Sequence, residues 1–253
     1  MAENGDIRLL GTPSSPYVNR VQFVCNLKSI DYEYVAENLA CKSELLLISN
    51  PVHKKVPVLL HANESPICES LVIIEYLDEI KPDVYRILPS DPLERANNRF
   101  WAHYIDNKFY PLYEKLRITQ GKEGKEAIKE QIIEGSIVLE EALVKTCNGK
   151  VYFGGDNVGY LDVVLGCFLS WTYFVEKENE FTIFDEVRTP RLVNWAKQGD
   201  MERVTWTGPL RAAGPKAAQM NFRRGAAAGA GERPAGSGSL GILVTGERDW
   251  LRG

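Results

Sequence analysis

The apolar positions of the first 80 residues alternate between the spacing of strands and that of helices. Short apolar runs at residues 7–10, 32–35, 56–61 and 65–68 are bounded by turn residues, which is typical of strands. Residues 16–28 and 70–80 carry apolar side chains three or four positions apart, which indicates helices, and residues 43–48 predict a shorter one. The order is β-α-β-α-β-β-α, with a turn at 62–64, and it predicts a small α/β domain.

From residue 92 onward the pattern is helical only. Pro92 begins a predicted helix that runs to about residue 116 with Ala96 and Phe100 facing inward, and a second runs from about 125 to 147. Residues 162–175 are apolar on almost every side, which is typical of a buried central helix, and Pro190 begins another. Residues 81–91 have no clear period and are interpreted as a linker. We therefore predict an α/β domain over 5–81 and an all-helical domain over 92–198.

The last part of the chain differs in composition and charge. Residues 199–253 contain 11 of the 21 glycines, and their eight basic and five acidic side chains give a net charge of +3. Residues 1–198 carry 22 basic and 29 acidic side chains, a net charge of −7. Without an apolar period, this tail buries too little surface to offset the roughly 1–2 kcal/mol per residue that ordering a backbone costs. We predict that residues 199–253 are mostly disordered.

Charge and cysteine content exclude several classes of function. The formal net charge of −4 over 253 residues gives no electrostatic reason to bind nucleic acid or an anionic membrane. The sequence has no long apolar run and no secretory signal pattern, so we expect no membrane-spanning helix. Five scattered cysteines without a CxxC pair fit reduced thiols in the cytosol. Three histidines, none at the spacing of metal ligands, argue against a zinc site.

The start of the first helix is the first candidate for chemistry. Ser15 immediately precedes Pro16, and serine at the N-cap with proline at the first helical position favours a helix start. By itself the pair indicates helix capping. A hydroxyl at the positive end of a helix is also suited to stabilise a thiolate, because both features lower a thiol pKa that is otherwise about 8.5.

Several motifs in order resemble one family. The segments LLGTPSSPYVNRV, NLACKSELLLISNPVHKKVPVLLH and CESLVIIEYLDE are similar to the first domain of plant tau-class glutathione S-transferases, and GGDNVGYLDVVLG and TPRLVNWAK to their helical domain. The resemblance covers about residues 5–198. It implies a thioredoxin-like N-terminal domain with an all-helical C-terminal domain. It also implies a cytosolic homodimer that conjugates glutathione to hydrophobic electrophiles in detoxification and stress response. Glutathione is then a cosubstrate, and no cofactor or metal is expected.

The resemblance also implies which residues handle glutathione. Ser15 occupies the position of the family's activating serine, and Ser14 is the rival for this role. Lys42 and Lys55 are placed to meet the glycyl carboxylate. The other glutathione-binding positions are Pro16, Cys41, Val56, Glu69 and Ser70.

Two of these motifs have a clear physical basis. Val56-Pro57 looks like the cis-proline turn of the thioredoxin fold, which exposes the Val56 backbone so that it pairs with a peptide as an added strand does. Glu69-Ser70 lies at the start of a predicted helix, and a helix N-terminus is an anion site. Ser70 suits the γ-glutamyl carboxylate and Glu69 the neighbouring ammonium. Helix capping and solvated surface charge are the alternatives for these residues.

Other positions have structural interpretations. Asp162, in the segment GYLD, is expected to cap the buried helix that follows it. Tyr110, Trp101 and Trp171 either line an electrophile pocket or, as aromatic residues at helical spacing more often do, belong to the core. No cysteine replaces Ser15, which argues against the relatives that reduce dehydroascorbate through a mixed disulfide.

The resemblance ends after the segment TPRLVNWAKQ. The family continues with further C-terminal helices that close the electrophile side, whereas residues 199–253 are unrelated to it in sequence. Three hypotheses therefore stay open. The chain is a glutathione transferase, a protein that binds glutathione or hydrophobic ligands without turnover, or a truncated product without activity.

Overall fold

The computed structural model describes residues 7–61 and 65–198, so the predicted turn at 62–64 and the predicted tail lie outside the described residues. The first unit consists of β1 (Ile7–Gly11), α1 (Pro16–Leu27), β2 (Glu33–Ala36), α2 (Glu44–Ser49), β3 (Val58–His61), β4 (Ile67–Cys68) and α3 (Ser70–Ile80). The strand order is β2-β1-β3-β4, with β1 parallel to β2 and the other two pairs antiparallel. The element order matches the prediction, and the mixed sheet is thioredoxin-like.

Burial along the strands explains their sequence patterns. The central strand β3 is buried at every position, and β1 at all but Arg8, so both appear as continuous apolar runs. The edge strand β2 is half-buried or exposed throughout, which agrees with its mixture of charged and apolar residues. Helices α1 and α3 pack against each other, and Val24 and Leu77 are fully buried on them.

The second unit is all-helical. It consists of α4 (Pro92–Tyr104), a π-helical segment (Ile105–Phe109), α5 (Pro111–Ile118), α6 (Lys122–Thr146), α7 (Tyr160–Gly166), α8 (Leu169–Asn179) and α9 (Pro190–Ala196). Trp195 of α9 is fully buried, so this helix is part of the helical core. In the described part of the chain, no helix is long and apolar enough to cross a membrane.

Two of the predicted helices are each divided. The helix predicted over 92–116 is interrupted by the π-helical segment before Pro111, because proline has no N–H to continue the helical hydrogen bonds. Ala96 and Phe100, expected to face inward, are exposed. The helix predicted over 162–175 is α7 followed by α8, with the break at Cys167 and Phe168. Because residues 162–175 are apolar on almost every side, their sequence has no hydrophobic period whose interruption would reveal the break.

The segment between the two units is anchored at both ends. Asp78 of α3 forms an ion pair with Lys28 at 2.9 Å and accepts hydrogen bonds from the backbone N–H groups of Ile87 and Leu88. The N–H of Tyr160 in turn donates to the carbonyl of Ile87. These contacts hold the predicted linker against α3 and against α7.

Candidate active site

The start of α1 presents its two serines differently. Ser15 is the N-cap, and its hydroxyl oxygen accepts a hydrogen bond from the Val18 N–H at 3.3 Å. It is fully buried, whereas Ser14 is exposed. The Trp171 indole donates to the Ser14 carbonyl at 3.4 Å. Capping is therefore the contact that Ser15 makes within the protein, and a thiolate reaches its hydroxyl only if the neighbouring groups move.

A polar cavity of about 580 Å³ lies beside this helix, between the two units. Five of the residues that the resemblance implies line it together, namely Lys42, Lys55, Val56, Glu69 and Ser70. His53, Lys54 and Asp106 add further ionisable groups to its wall. Ser15, Pro16 and Cys41 are not in this wall, and Cys41 is exposed. The cavity thus presents both signs of charge, as a zwitterionic ligand requires.

The two loops that carry its lysines are held by side chains that sequence reasoning missed. Buried Glu37 accepts a hydrogen bond from the Ser43 hydroxyl at 2.6 Å and so closes the loop that carries Lys42. Asn50 donates to the carbonyl of Lys55 at 3.1 Å and accepts from the N–H of His53. In the sequence, Glu37 and Asn50 are each marked only as a polar residue that follows an apolar segment.

The peptide bond between Val56 and Pro57 is cis, as the resemblance implies. This turn leads into β3, and both residues line the polar cavity. Val56 is buried, with 8% of its surface exposed, so its backbone is fixed in the cavity wall.

The start of α3 faces the same cavity. Glu69 is the N-cap and has a φ of 70°, in the left-handed region that side chains larger than glycine adopt mainly where their surroundings impose it. Its carboxylate is 61% exposed and lies 3.8 Å from the His53 imidazole. Ser70 is buried, and its hydroxyl accepts a hydrogen bond from Arg20 at 2.9 Å. A carboxylate and a helix N-terminus therefore lie side by side.

Arg20 is a further site residue that sequence reasoning missed. It is fully buried in α1 and forms a bidentate ion pair with Asp106, with N–O distances of 2.7 and 2.8 Å. Burial is the largest single effect and opposes the charge, but the charge of Asp106, the neighbouring Cys167 and Tyr17 and the hydrogen bond to Asp106 together raise the pKa of Arg20. Because Asp106 belongs to the π-helical segment, this pair joins the two units behind Ser70. In the sequence, the sign of such a role is a single positively charged residue in the first helix, between the apolar residues Val18 and Val21.

A second cavity, of about 280 Å³ and here called the aromatic cavity, is lined by five aromatic side chains together with the charged side chains of Glu114, Arg117, Lys125 and Glu178. Tyr110 and Trp171 line it, as the electrophile-pocket hypothesis predicts, and so do Tyr113 and Phe174. Trp101 does not line it; this ring packs edge-on against Phe100 and Tyr104 instead. The rings of Tyr110 and Phe168 stack at a centroid distance of 3.9 Å, which holds the cavity floor. Ser14 and Pro16 lie at its edge.

Among the described residues, Tyr17 alone lies in the walls of both cavities. It is the second residue of α1, so the helix start separates the polar cavity from the aromatic one. The walls of the two cavities therefore meet at this residue.

Asp162 has the structural role expected of it. It is fully buried, and its two oxygens accept four hydrogen bonds, from the backbone N–H groups of Phe153, Gly154 and Gly159 and from the indole of Trp195. Burial raises its pKa to about 6 against the opposing effect of these donors.

The described residues show no arrangement of side chains that suits a disulfide or a bound metal ion. The five cysteines are free, and the described part of the chain holds no cluster of three or more His, Cys, Asp or Glu side chains that suits a metal ion.

Comparison with known proteins decides the family. The sequence profile described as Glutathione S-transferase, N-terminal domain, matches residues 9–84. Glutathione S-transferase U17 of Arabidopsis thaliana is 47% identical over 195 residues, which is 77% of this chain and 86% of that protein. The probable glutathione S-transferase GSTU6 of Oryza sativa subsp. japonica is 46% identical over 78% of this chain and 86% of its own length.

The chain belongs to the tau class of the glutathione S-transferase family. A solved tau-class glutathione S-transferase from mango, Mangifera indica, is similar to it with a TM-score of 0.77 and 42% identity, covering 88% of this chain and 99% of the mango chain. A rice glutathione S-transferase solved in complex with glutathione is similar with a TM-score of 0.70 and 35% identity, covering 80% and 91%. The fold of a glutathione S-transferase, and its assignment as an enzyme, are thereby established for this chain.

Proposed function

We propose that this glutathione S-transferase conjugates the thiolate of glutathione to hydrophobic electrophiles and that a serine activates the thiol. The observation that carries the proposal is the pair of cavities that meet at Tyr17, one with charged and polar walls and one to which five aromatic side chains contribute. Such a pair suits a charged tripeptide on one side and an apolar reactant on the other.

Each charge of glutathione has a counterpart in the polar cavity. Lys42 and Lys55 suit the glycyl carboxylate, and the Val56 backbone suits the cysteinyl unit. Ser70 and the N-terminus of α3 suit the γ-glutamyl carboxylate, and the exposed carboxylate of Glu69 suits the ammonium beside it. Arg20 keeps the Ser70 hydroxyl oriented through their 2.9 Å hydrogen bond. Pro16 and Cys41 border this site rather than line it.

Ionisation of the thiol is the step that needs catalysis. A free thiol with a pKa of about 8.5 is only a few per cent ionised near neutrality. Lowering the pKa by about two units requires roughly 2.7 kcal/mol of preferential stabilisation of the thiolate. One hydrogen bond to a charged group and the positive end of α1 provide that amount. We assign this hydrogen bond to Ser15, whose hydroxyl turns from the Val18 N–H toward the sulfur once glutathione displaces the neighbouring groups.

The conjugation then needs no group beyond the two reactants. The thiol proton passes to solvent, the sulfur forms a bond to the electrophilic carbon, and the leaving group departs with the electrons of the bond it breaks. The five aromatic side chains of the second cavity suit the apolar part of an electrophile, and Arg117 and Lys125 in the same wall suit its polar substituents, which favours a broad range of hydrophobic substrates.

Substitution of Ser15 tests the assignment. We expect Ser15→Ala to lower kcat/KM for a chloronitrobenzene by up to about tenfold at neutral pH, because the variant loses the hydrogen-bond part of the thiolate stabilisation and keeps the positive end of α1. Retention on glutathione resin should persist. Because the variant also loses a helix cap, worth about 1 kcal/mol, urea unfolding should accompany the kinetics.

Ser14→Ala is the matched comparison. A large loss in this variant, with full activity in Ser15→Ala, would show that the exposed serine is the activator and would contradict the Ser15 assignment. A wild-type chain that is retained on the resin but does not turn over the chloronitrobenzene would instead favour ligand binding without catalysis, which the burial of Ser15 supports as the second candidate.

The proposal includes a homodimer in the cytosol, acting in detoxification. Exposed apolar side chains on neighbouring helices, Val72 of α3 and Phe100 of α4, support pairing with a second copy through this face. Free cysteines support a reducing compartment. Sedimentation of the full chain measures the oligomeric state directly.

A further inference from the structure

Tyr17 lies between the two cavities, and the mechanism proposed for Ser15 gives it no part. Ser15 is fully buried and lies in the wall of neither cavity, whereas Tyr17 lies in the walls of both. The thiol of glutathione in the polar cavity and an electrophile in the aromatic cavity approach each other at Tyr17. Among the described residues, no side-chain or backbone group forms a hydrogen bond with its hydroxyl, so the donor is available to a ligand.

The ring of Tyr17 is held by contacts that do not involve the hydroxyl. The Arg20 guanidinium lies 5.4 Å from the ring centroid, a cation–π distance. The rings of Tyr110 and Phe168 meet it edge-on, at centroid distances of 6.1 and 5.6 Å. The phenol is therefore oriented before any ligand binds, and a phenylalanine in its place would keep all three contacts.

The phenol keeps its proton at neutral pH and is therefore able to donate a hydrogen bond. Burial, and then the negative charge of Asp106, raise the pKa of Tyr17 well above its usual range, while Arg20 acts in the opposite direction. Cys167 and Glu69 raise it further. Glu69 and Asp106 belong to the wall of the polar cavity, which indicates that the hydroxyl lies within range of that side.

We propose that the Tyr17 hydroxyl donates a hydrogen bond to the sulfur of bound glutathione and so acts as a second catalytic donor beside Ser15. The inference rests on the proposed function. Tyr17 keeps its proton throughout: the thiol proton leaves to solvent, the thiolate forms the S–C bond, and the leaving group takes the electrons of the broken bond. The hydrogen bond is strongest to the thiolate and weakest to the thioether product, so it favours both ionisation and release.

The variant Tyr17→Phe isolates the hydroxyl. The bound thiol is titrated by the ultraviolet absorbance of its thiolate, and kcat/KM for a chloronitrobenzene is measured over the same pH range. We expect the pKa of the bound thiol to rise by about one unit, and kcat/KM to fall about threefold at pH 7 and about tenfold well below the thiol pKa. The two enzymes should converge at alkaline pH, where the thiol is ionised without help.

The matched control is Tyr34→Phe. Tyr34 also has a hydroxyl without a hydrogen-bond partner, but it lies in the wall of neither cavity. This variant should leave the thiol pKa and kcat/KM unchanged, and unfolding midpoints should show that both variants are folded.

The outcomes separate this inference from the proposed function. An unchanged thiol pKa in Tyr17→Phe overturns the inference, whether kcat/KM falls or not, and leaves the Ser15 assignment standing. A raised thiol pKa in Tyr17→Phe with an unaffected Ser15→Ala supports Tyr17 and overturns Ser15. A wild-type chain that binds no glutathione overturns both.

Discussion

Two helix starts in this protein use an acidic side chain in opposite ways. At the start of α7, Asp162 is fully buried, and four N–H donors of the protein saturate its two oxygens. At the start of α3, Glu69 is 61% exposed at its side chain, and its contact within the protein is His53 at 3.8 Å. The first carboxylate holds the helical unit together, and the second faces the polar cavity.

The difference lies in whether the protein itself satisfies the hydrogen-bonding capacity of the group. A buried carboxylate whose acceptor sites are all occupied has none free for a ligand. Its removal lowers the free energy of unfolding, because the buried donors are then left without a partner. A carboxylate with open acceptor sites at the edge of a cavity is available to a cation. Arg20 is intermediate, since it is buried and paired with Asp106 but also orients Ser70 toward the cavity.

The largest effect should come from the saturated group. In Asp162→Asn, the amide nitrogen replaces an oxygen that accepts two hydrogen bonds, so at least two buried donors lose their partner. We expect the free energy of unfolding to fall by about 4 kcal/mol in urea titrations. Glutathione affinity of the remaining folded protein should not change. A loss of affinity without a loss of stability would contradict the separation between the two helix starts.

The pH dependence of stability sharpens the same contrast. Burial raises the pKa of Asp162 to about 6, above the value in the unfolded chain, so the folded state holds a proton that the unfolded state has lost. The contribution of Asp162 is therefore greatest below about pH 4 and is lost as the pH rises through about 6. The stability advantage of the wild type over Asp162→Asn should shrink between pH 4.5 and 7.5. An advantage that grows over this range would show that the four donors outweigh burial.

The intermediate group should show both effects. We expect Arg20→Met to lower the free energy of unfolding by about 3 kcal/mol, because it leaves the mostly buried Asp106 carboxylate unpaired. Glutathione affinity, measured by calorimetry, should fall as well, since Ser70 loses the donor that orients it. Lys28→Met is the matched control. It breaks the buried Lys28–Asp78 pair inside the first unit, and it should destabilise the protein with no change in affinity.

The smallest effect on stability should come from the exposed group. We expect Glu69→Gln to weaken glutathione binding about tenfold, or roughly 1.4 kcal/mol, by removing the charge that meets the ammonium. The unfolding free energy should change by less than about 0.5 kcal/mol. Glu33→Gln, at an exposed position of the edge strand, is the control for loss of one negative charge. Equal affinities in the two variants would remove Glu69 from the site.

The sequence predicted the first unit better than the second. The strands and helices of the first unit are short, differ in period and are separated by turn residues, and its site residues lie within local motifs. In the second unit the helix predicted over 92–116 was continued past Pro111, which ends the regular hydrogen bonding there, and residues 162–175 are apolar on nearly every side, so no period marks the break at Cys167. The prediction that Phe100 faces inward was wrong, since its side chain is exposed. A hydrophobic period shows that one face of a helix is apolar, but it does not show whether another element packs on that face.

The residues that join distant parts of the chain were not predictable from local pattern. Arg20 and Asp106 lie 86 positions apart, and Tyr17 gains its place between two cavities only when α1 packs against the helical unit. The sequence by itself determined the element order of the first unit and the capping roles of Ser15 and Asp162, because these depend on neighbours within a few positions. Tertiary structure alone decided which polar groups are saturated and which remain open to a ligand, because burial and hydrogen-bond pairing are properties of the assembled core.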